Sequence, residues 1–280
     1  MNNLFLLGLT GFFSAISIYV DKHLINKGIS RKDYFYYMCL SMVPFSIVTI
    51  IINYFTIGLT FSFNIIPILL LLLAMLVRYF KQMAVAGIGR KLDPFENIAY
   101  LSIGLIFAYI IDIMLGVRTF SFISLISIIL TLVGIFMLAD VKIKNKELQK
   151  DIIIKIIGEL SLGYIAYFIL KYWSNSIYIF LLNFLLTLIF SYDYPIKYHM
   201  KNKDIIKWVF IQQSFGFVYI YLYNYLSSIS VTLSSFVKPV TLVLAFILAF
   251  FFKEEKRKPR FLDLISILLI VSGICLINMS

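Results

Sequence analysis

Ten long apolar segments, separated by short polar stretches, constrain this chain of 280 residues more than any other feature. A helix that crosses a hydrocarbon core about 30 Å thick needs roughly 20 mainly apolar residues. Hydrophobic residues make up 61% of the chain and charged residues 14%, a balance that soluble domains do not have. We therefore predict an all-α membrane protein with ten transmembrane helices, near residues 4–20, 34–55, 65–86, 97–115, 121–139, 152–170, 177–192, 205–226, 231–252 and 262–279.

Lysine and arginine residues are distributed unevenly among the predicted loops. Eighteen of them fall in the five loops that follow odd-numbered spans, whereas loops that follow even-numbered spans hold only Arg118 and Lys171. Because cytoplasmic loops carry the excess of positive charge, this pattern predicts that both termini lie outside. It also accounts for the net charge of +11 without a nucleic-acid partner, since the charges face anionic lipid along one side of the membrane.

An internal repeat divides the chain into two halves. The segment that begins at Phe122 aligns without a gap to the segment that begins at Phe261, and eight of fourteen residue pairs are identical. This register makes spans one to five one unit and spans six to ten the other. An odd number of spans in each unit forces the second unit to be inverted relative to the first. We predict repeats at residues 1–140 and 152–280, joined by a basic cytoplasmic linker at 141–151.

The order of motifs in the second half is more specific than the repeat. Span nine opens with Phe236-Val237-Lys238-Pro239-Val240, the pair Glu254-Glu255 lies at its end, and the closing span contains Gly273. With ten spans as five plus five, this set resembles the drug/metabolite transporter superfamily, especially its EamA-like branch. The resemblance implies alternating access and a central cavity built mainly from spans one, three, four, six, eight and nine. The first half has Ile98-Ala99-Tyr100 where the proline would fall.

Charged residues within the spans are the candidates for a binding site. Lys238 lies about seven residues inside span nine, where it either snorkels to the interface or faces a cavity. Pro239 lacks an amide hydrogen and should break the helix one turn earlier. In span three, Arg78, Lys81 and Gln82 share a helical face, because their spacing is i, i+3 and i+4. The guanidinium of Arg78 is suited to a carboxylate or phosphate, and Lys81 and Lys238 would complete an anion-binding cluster.

Acidic and neutral polar residues in the spans are few. Glu159 in span six is either a proton-coupling carboxylate or a structural partner of Arg78, and Asp112 should be solvated near the outer end of span four. Further substrate-binding candidates are amide and phenol side chains in spans four, six and eight: Tyr100, Tyr164, Gln212, Gln213 and Tyr219.

These features favour a transporter over an enzyme. The two histidines, His23 and His199, are far apart in the sequence, and no metal-ligand cluster, phosphate loop or catalytic triad is apparent, so we expect no cofactor and no metal. We predict a secondary transporter for a small polar, anionic metabolite in a bacterial plasma membrane, acting as a monomer or homodimer in contact with membrane lipid. The alternatives are a flippase for lipids or lipid phosphates, an exporter of amino acids or drugs, and a membrane-anchored structural or sensor protein.

Overall fold

The computed structural model describes residues 3–26, 31–88, 94–139, 146–193, 203–251 and 260–278. Within these ranges the chain forms twelve helices and no strand. The helices are α1 (Asn3–Asn26), α2 (Arg31–Thr56), α3 (Ile65–Ile88), α4 (Pro94–Ser102), α5 (Gly104–Met114), α6 (Phe122–Ala139), α7 (Lys146–Ile169), α8 (Asn175–Asp193), α9 (Lys203–Ile229), α10 (Val231–Ser235), α11 (Val237–Phe251) and α12 (Phe261–Ile277).

Each of the ten predicted segments overlaps at least one helix, and the prediction of an all-α, multi-pass membrane protein is confirmed. In the described part of the chain, seven helical stretches are long and apolar enough to cross a membrane: Asn3–Asp21, Asp33–Thr56, Ile65–Gln82, Phe95–Met114, Phe122–Ala139, Lys150–Ile169 and Val231–Ala249. The other three predicted segments fall on α8 and α12, which have shorter apolar stretches, and on α9, which carries several amides. Ten spans therefore stay a prediction.

Spans four and nine are each built from two helices. The first is interrupted at Ile103, between α4 and α5, and the second at Phe236, between α10 and α11. Pro239 lies one turn after Phe236, where its ring removes the amide that would bond to the preceding turn. Ser230 caps α10, because its hydroxyl accepts a hydrogen bond from the Leu233 amide at 3.2 Å.

The two segments that align in sequence, α6 and α12, pack against each other in antiparallel orientation. A Cβ atom on Gly134 would lie 2.7 Å from the carbonyl oxygen of Ser266, and one on Gly273 would lie 2.7 Å from that of Ser127. The Ser127 hydroxyl donates to the Gly273 carbonyl at 2.6 Å. Both glycines are therefore needed for this approach of the two backbones, which small residues permit between membrane helices.

Other helix pairs also join the two halves. In α2 and α8, Phe35 contacts Phe190 at one end and Asn53 donates to Ser176 at the other, so these two helices are antiparallel. Helix α1 packs on α9 and α11, α3 packs on α7, α4 packs on α11, and α5 packs on α10. Because each of these contacts pairs helices from different halves, the bundle core lies between the halves.

Two connections meet at one end of the bundle and form a set of contacts that we call the seal: Thr60 and Ser62, after α2, with Trp173 and Ser174, after α7. The Ser174 amide donates to the Thr60 carbonyl at 2.8 Å, and the Thr60 amide donates to the Ser174 hydroxyl at 2.8 Å. The indole of Trp173 donates to the Ser62 carbonyl at 2.7 Å. The seal thus ties the first half to the second through backbone groups.

Asp112, at the end of α5, is fully buried, so our prediction that water solvates it is wrong. Its carboxylate accepts hydrogen bonds from the Ser230 hydroxyl at 2.7 Å, the Thr232 amide at 2.8 Å and the Tyr164 hydroxyl at 3.0 Å. The guanidinium of Arg118 also donates a hydrogen bond to the Ser230 hydroxyl. Burial lowers the pKa of Arg118, and the negative charge of Asp112 opposes that shift. Donors at the start of α10 therefore bind the Asp112 carboxylate in place of water.

The structure describes only part of the predicted linker between the two repeats. Helix α7 begins at Lys146, inside the predicted linker 141–151, so the end of that linker is helical. Most of the basic loop residues that predict the membrane orientation lie outside the described residues, as do residues 140–145. The orientation of the termini therefore stays a prediction.

Candidate functional site

Glu159 of α7 lies between two lysines from opposite halves of the chain. The ammonium of Lys81, on α3, is 3.2 Å from Oε1 of Glu159, and the ammonium of Lys238, on α11, is 3.3 Å from the same oxygen. The exposed fractions of the three side chains are 19%, 13% and 16% for Lys81, Lys238 and Glu159. Charge-assisted contacts of this kind, largely withdrawn from solvent, connect three helices at one point.

Lys238 lies in the first turn of α11, immediately after the break at Phe236. Its ammonium also contacts the Tyr219 hydroxyl at 3.2 Å and lies 5.6 Å from the centroid of that ring. The break and Pro239 begin a new helix at this depth, which sets the direction of the lysine side chain. The ammonium therefore lies among groups of α7 and α9, inside the bundle.

Gly158 explains how Lys81 reaches this position. A Cβ atom at Gly158 would lie 2.9 Å from Cβ of Lys81, so the lysine stem packs directly on the α7 backbone. Any larger residue at 158 would push α3 away from α7 and lengthen the contact with Glu159. The glycine beside the acid is therefore part of the site.

Lys155 belongs to the same charged region, although the sequence analysis did not select it. The residue is 6% exposed, and its ammonium donates to Oδ1 of Asn97 on α4 at 3.0 Å. It lies four residues before Glu159 on α7, and the two charges interact electrostatically. That i, i+4 spacing was the signal in the sequence that could have identified it.

Arg78 is buried on α3, with 7% of its surface exposed. In the part of the chain that the structure describes, no hydrogen bond or ion pair holds its guanidinium, and the ion pairs of Glu159 go to lysines. Its electrostatic neighbours include Lys81, Cys39 and Tyr178. Since no described carboxylate pairs with this guanidinium, a bound anion could do so.

The described side chains around Glu159 carry more positive than negative charge. Asp21 of α1, whose carboxylate accepts a hydrogen bond from the Tyr34 hydroxyl, adds a second acid. Among the side chains that the structure describes here, four are basic and two are acidic: Arg78, Lys81, Lys155 and Lys238, and Asp21 and Glu159. A region with this charge would attract a dissolved anion.

The predicted amide residues are buried and partly bonded to one another. The Gln212 amide donates to the Ser17 hydroxyl of α1 at 2.9 Å, and the Gln213 amide donates to Gln212. The Oε1 atom of Gln213 is buried and has no protein partner within the described residues. Gln82 is 8% exposed on α3. These side chains supply polar atoms inside the bundle.

Tyr100 and Tyr164 face a different part of the molecule, away from the lysines. They line an apolar groove of about 950 Å³ between α3, α4, α5 and α7, whose other walls include Leu73, Phe107 and Ile157. Those three apolar side chains are about half exposed on the outer surface. Tyr164 also uses its hydroxyl to bind the Ala108 carbonyl and Asp112.

Four of the predicted residues thus converge in direct contacts, namely Lys81, Glu159, Tyr219 and Lys238. Arg78 is linked to them electrostatically, whereas Tyr100 and Tyr164 lie on the groove side of α7. In comparisons with known proteins, the sequence matches no family model and no curated protein. The case for a function therefore rests on this geometry.

Proposed function

We propose that this protein is a secondary transporter that moves a small polar, anionic metabolite across a membrane by alternating access. The observation that carries the proposal is the excess of basic over acidic side chains around Glu159 among the described residues. A buried charge in a membrane protein is costly unless it faces protein, water or a ligand, and such residues commonly mark a transport pathway. Arg78, Lys81 and Lys238 would bind the negative groups of the substrate.

Alternating access needs two units that can move relative to each other, and the proposed units are two inverted five-helix repeats. In such a repeat α1 is equivalent to α7, α2 to α8, α3 to α9 and α6 to α12. The contact between α1 and α9 is then equivalent to the contact between α7 and α3, and the α2/α8 and α6/α12 pairs each join two equivalent helices. The matched distances at Gly134 and Gly273 follow the same exchange. Antiparallel packing of equivalent helices is what an inverted repeat produces.

Membership of the drug/metabolite transporter superfamily is part of the same proposal. Its support is the segment around Lys238 and Pro239, the break before that segment, and the cluster that joins spans three, six, eight and nine. Those are spans that the resemblance assigns to the cavity. A bacterial plasma membrane is the location that this proposal implies.

A ligand panel followed by a transport assay tests the function. Detergent-purified protein is heated with water-soluble organic anions, amino acids and polyprenyl phosphates, and compounds that raise the unfolding temperature are then tested for uptake into proteoliposomes. We expect stabilisation and saturable uptake for one or more organic anions. Stabilisation by neutral or cationic compounds alone, with no anion transported, would contradict the proposal.

The apolar groove favours one second candidate, a lipid or lipid-phosphate flippase. The groove opens on the outer surface beside α7, and an acyl or prenyl chain would fit its apolar walls. Helix α7 also carries Lys155 and Glu159, and the lysines that contact Glu159 could receive a phosphate headgroup. In the same panel, stabilisation by polyprenyl phosphates and not by soluble anions would select this candidate.

A further inference from the structure

We infer that Glu159 is an internal counter-ion, which occupies the anion position of the empty transporter until the substrate displaces it toward Lys155. The inference rests on the proposed anion-transport function and assigns a role to the carboxylate within it. Its starting point is the convergence of the Lys81 and Lys238 ammonium groups on one oxygen atom, Oε1 of Glu159. An oxygen of a substrate carboxylate or phosphate could accept the same two contacts.

Glu159 and a substrate anion compete for these contacts. Two carboxylates on one pair of ammonium groups repel each other, so the substrate can bind Lys81 and Lys238 fully only when Glu159 has left them. Without a substrate, Glu159 compensates part of the positive charge of the two lysines inside the bundle. The acid therefore stabilises the empty state and lowers the apparent affinity for the substrate.

Lys155 gives the displaced carboxylate a second partner. It lies one turn earlier on the same helix, and residues at i and i+4 are neighbours on a helix surface. Its ammonium is bonded to the neutral amide of Asn97 and to no carboxylate within the described residues. A side-chain rotation of Glu159 could thus exchange Lys81 and Lys238 for Lys155 without moving α7.

Inorganic phosphate is the probe for the experiment, which measures the unfolding temperature of purified protein against phosphate concentration at constant ionic strength. Glu159→Gln removes the counter-ion and keeps the side-chain shape. We expect half-maximal stabilisation at a phosphate concentration at least about tenfold lower than in the wild type, since the competitor is gone. Lys155→Met removes the second partner, so it should raise that concentration.

Asp263→Asn is the matched control, because it neutralises another buried carboxylate, which pairs with Arg260 at 3.3 Å at the start of α12. It should respond to phosphate as the wild type does. Glu159→Asp, with a shorter side chain, should also bind phosphate more tightly and serves as a second variant if Glu159→Gln does not purify as a single species.

The outcomes separate this inference from the proposed function. If the wild type responds and Glu159→Gln responds equally or more weakly, Glu159 is a binding group or a structural tie, and the counter-ion role is wrong while the anion site stands. If neither the wild type nor Glu159→Gln responds, the lysine pair is not an anion site and both proposals lose their basis. A response of Glu159→Gln alone supports the displacement.

Discussion

At the scale of single residues, the buried charges of this protein differ in how many partners they have. Asp112 is saturated by donors from three residues, whereas Arg78 has no partner among the described residues. Lys81 and Lys238 share one carboxylate. Charges with complete partners hold helices together, and charges with incomplete compensation are available to a ligand.

Replacing Lys238 by methionine, or Arg78 by alanine, should reduce uptake of the transported anion strongly. Loss of one member of a buried charge contact costs about 2 to 5 kcal/mol, which corresponds to a loss of roughly 30-fold or more in affinity. Proteoliposome uptake at equal protein content measures this. Lys171→Met is the control, because this lysine lies over the Tyr167 ring in the connection after α7 and contacts none of the charged side chains of the cluster among the described residues. Normal uptake by both site variants would show that Lys238 and Arg78 do not bind the transported anion.

Replacing Asp112 by asparagine should destabilise the protein by about 1 to 3 kcal/mol, because both carboxylate oxygens of Asp112 accept hydrogen bonds and asparagine has only one acceptor oxygen. Thermal unfolding in detergent measures the change. Asp151→Asn is the matched control at a partly exposed position on α7, and it should leave the unfolding temperature nearly unchanged. Equal unfolding temperatures for the two variants would show that the carboxylate of Asp112 does not hold α10.

At the scale of helices, breaks and close approaches position the site. The break at Phe236 starts α11 at the depth where Lys238 meets Glu159, and Gly158 lets α3 approach α7. The α6/α12 pair forms a compact element at the side of these helices, with backbone contacts at Gly134 and Gly273. The hydrophobic effect does not drive association of helices in lipid, so close packing at small residues stabilises such crossings instead.

Substitution of Gly273 by alanine should disturb the α6/α12 pair. The new Cβ would lie 2.1 Å from Oγ1 of Thr131 and 2.7 Å from the Ser127 carbonyl, so the helices must separate. Overpacking of this kind costs about 1 to 3 kcal/mol, measured as a lower unfolding temperature. Gly8→Ala is the control, because a Cβ there meets nothing within 4 Å. A Gly273→Ala protein as stable as Gly8→Ala would contradict the observed crossing.

At the scale of the whole molecule, the seal closes one end of the bundle between the two halves. Its backbone hydrogen bonds at Thr60 and Ser174, with the indole of Trp173 on Ser62, lie at the end where α2, α5, α7 and α9 finish. Under alternating access, a site between the halves opens to one side at a time. We expect these contacts to break when that end opens.

A disulfide across the seal tests this expectation. The hydroxyl oxygens of Thr60 and Ser174 are 3.1 Å apart, so Thr60→Cys with Ser174→Cys should form a bond on mild oxidation. Cys39 and Cys275 are first replaced by alanine. We expect oxidation to stop uptake and a reductant to restore it, while each single cysteine variant is unaffected. A cross-linked protein with full uptake would show that this end stays closed throughout transport.

Much of the architecture could be predicted from the sequence, because the apolar run lengths reflect the thickness of a membrane. The apolar runs predicted the fifth and tenth spans, the alignment of Phe122 with Phe261 made them equivalent, and in the structure the two helices begin at those residues and pack side by side. Lys155 was not predicted, since a lysine near the start of a span is common at membrane interfaces. Its role depends on Asn97, which is distant in the sequence.

The sequence by itself determined that the chain is a multi-pass helical membrane protein and that Lys81, Glu159, Tyr219 and Lys238 are unusual residues for lipid, because a polar group in hydrocarbon needs a partner wherever it lies. Only the tertiary structure decided which residues those partners are. Lys238 meets Glu159 across 79 positions of sequence, and Asp112 meets Ser230 across 118. Hydropathy depends on each residue and its sequence neighbours, whereas an ion pair depends on the direction of two side chains on helices that lie far apart in the sequence.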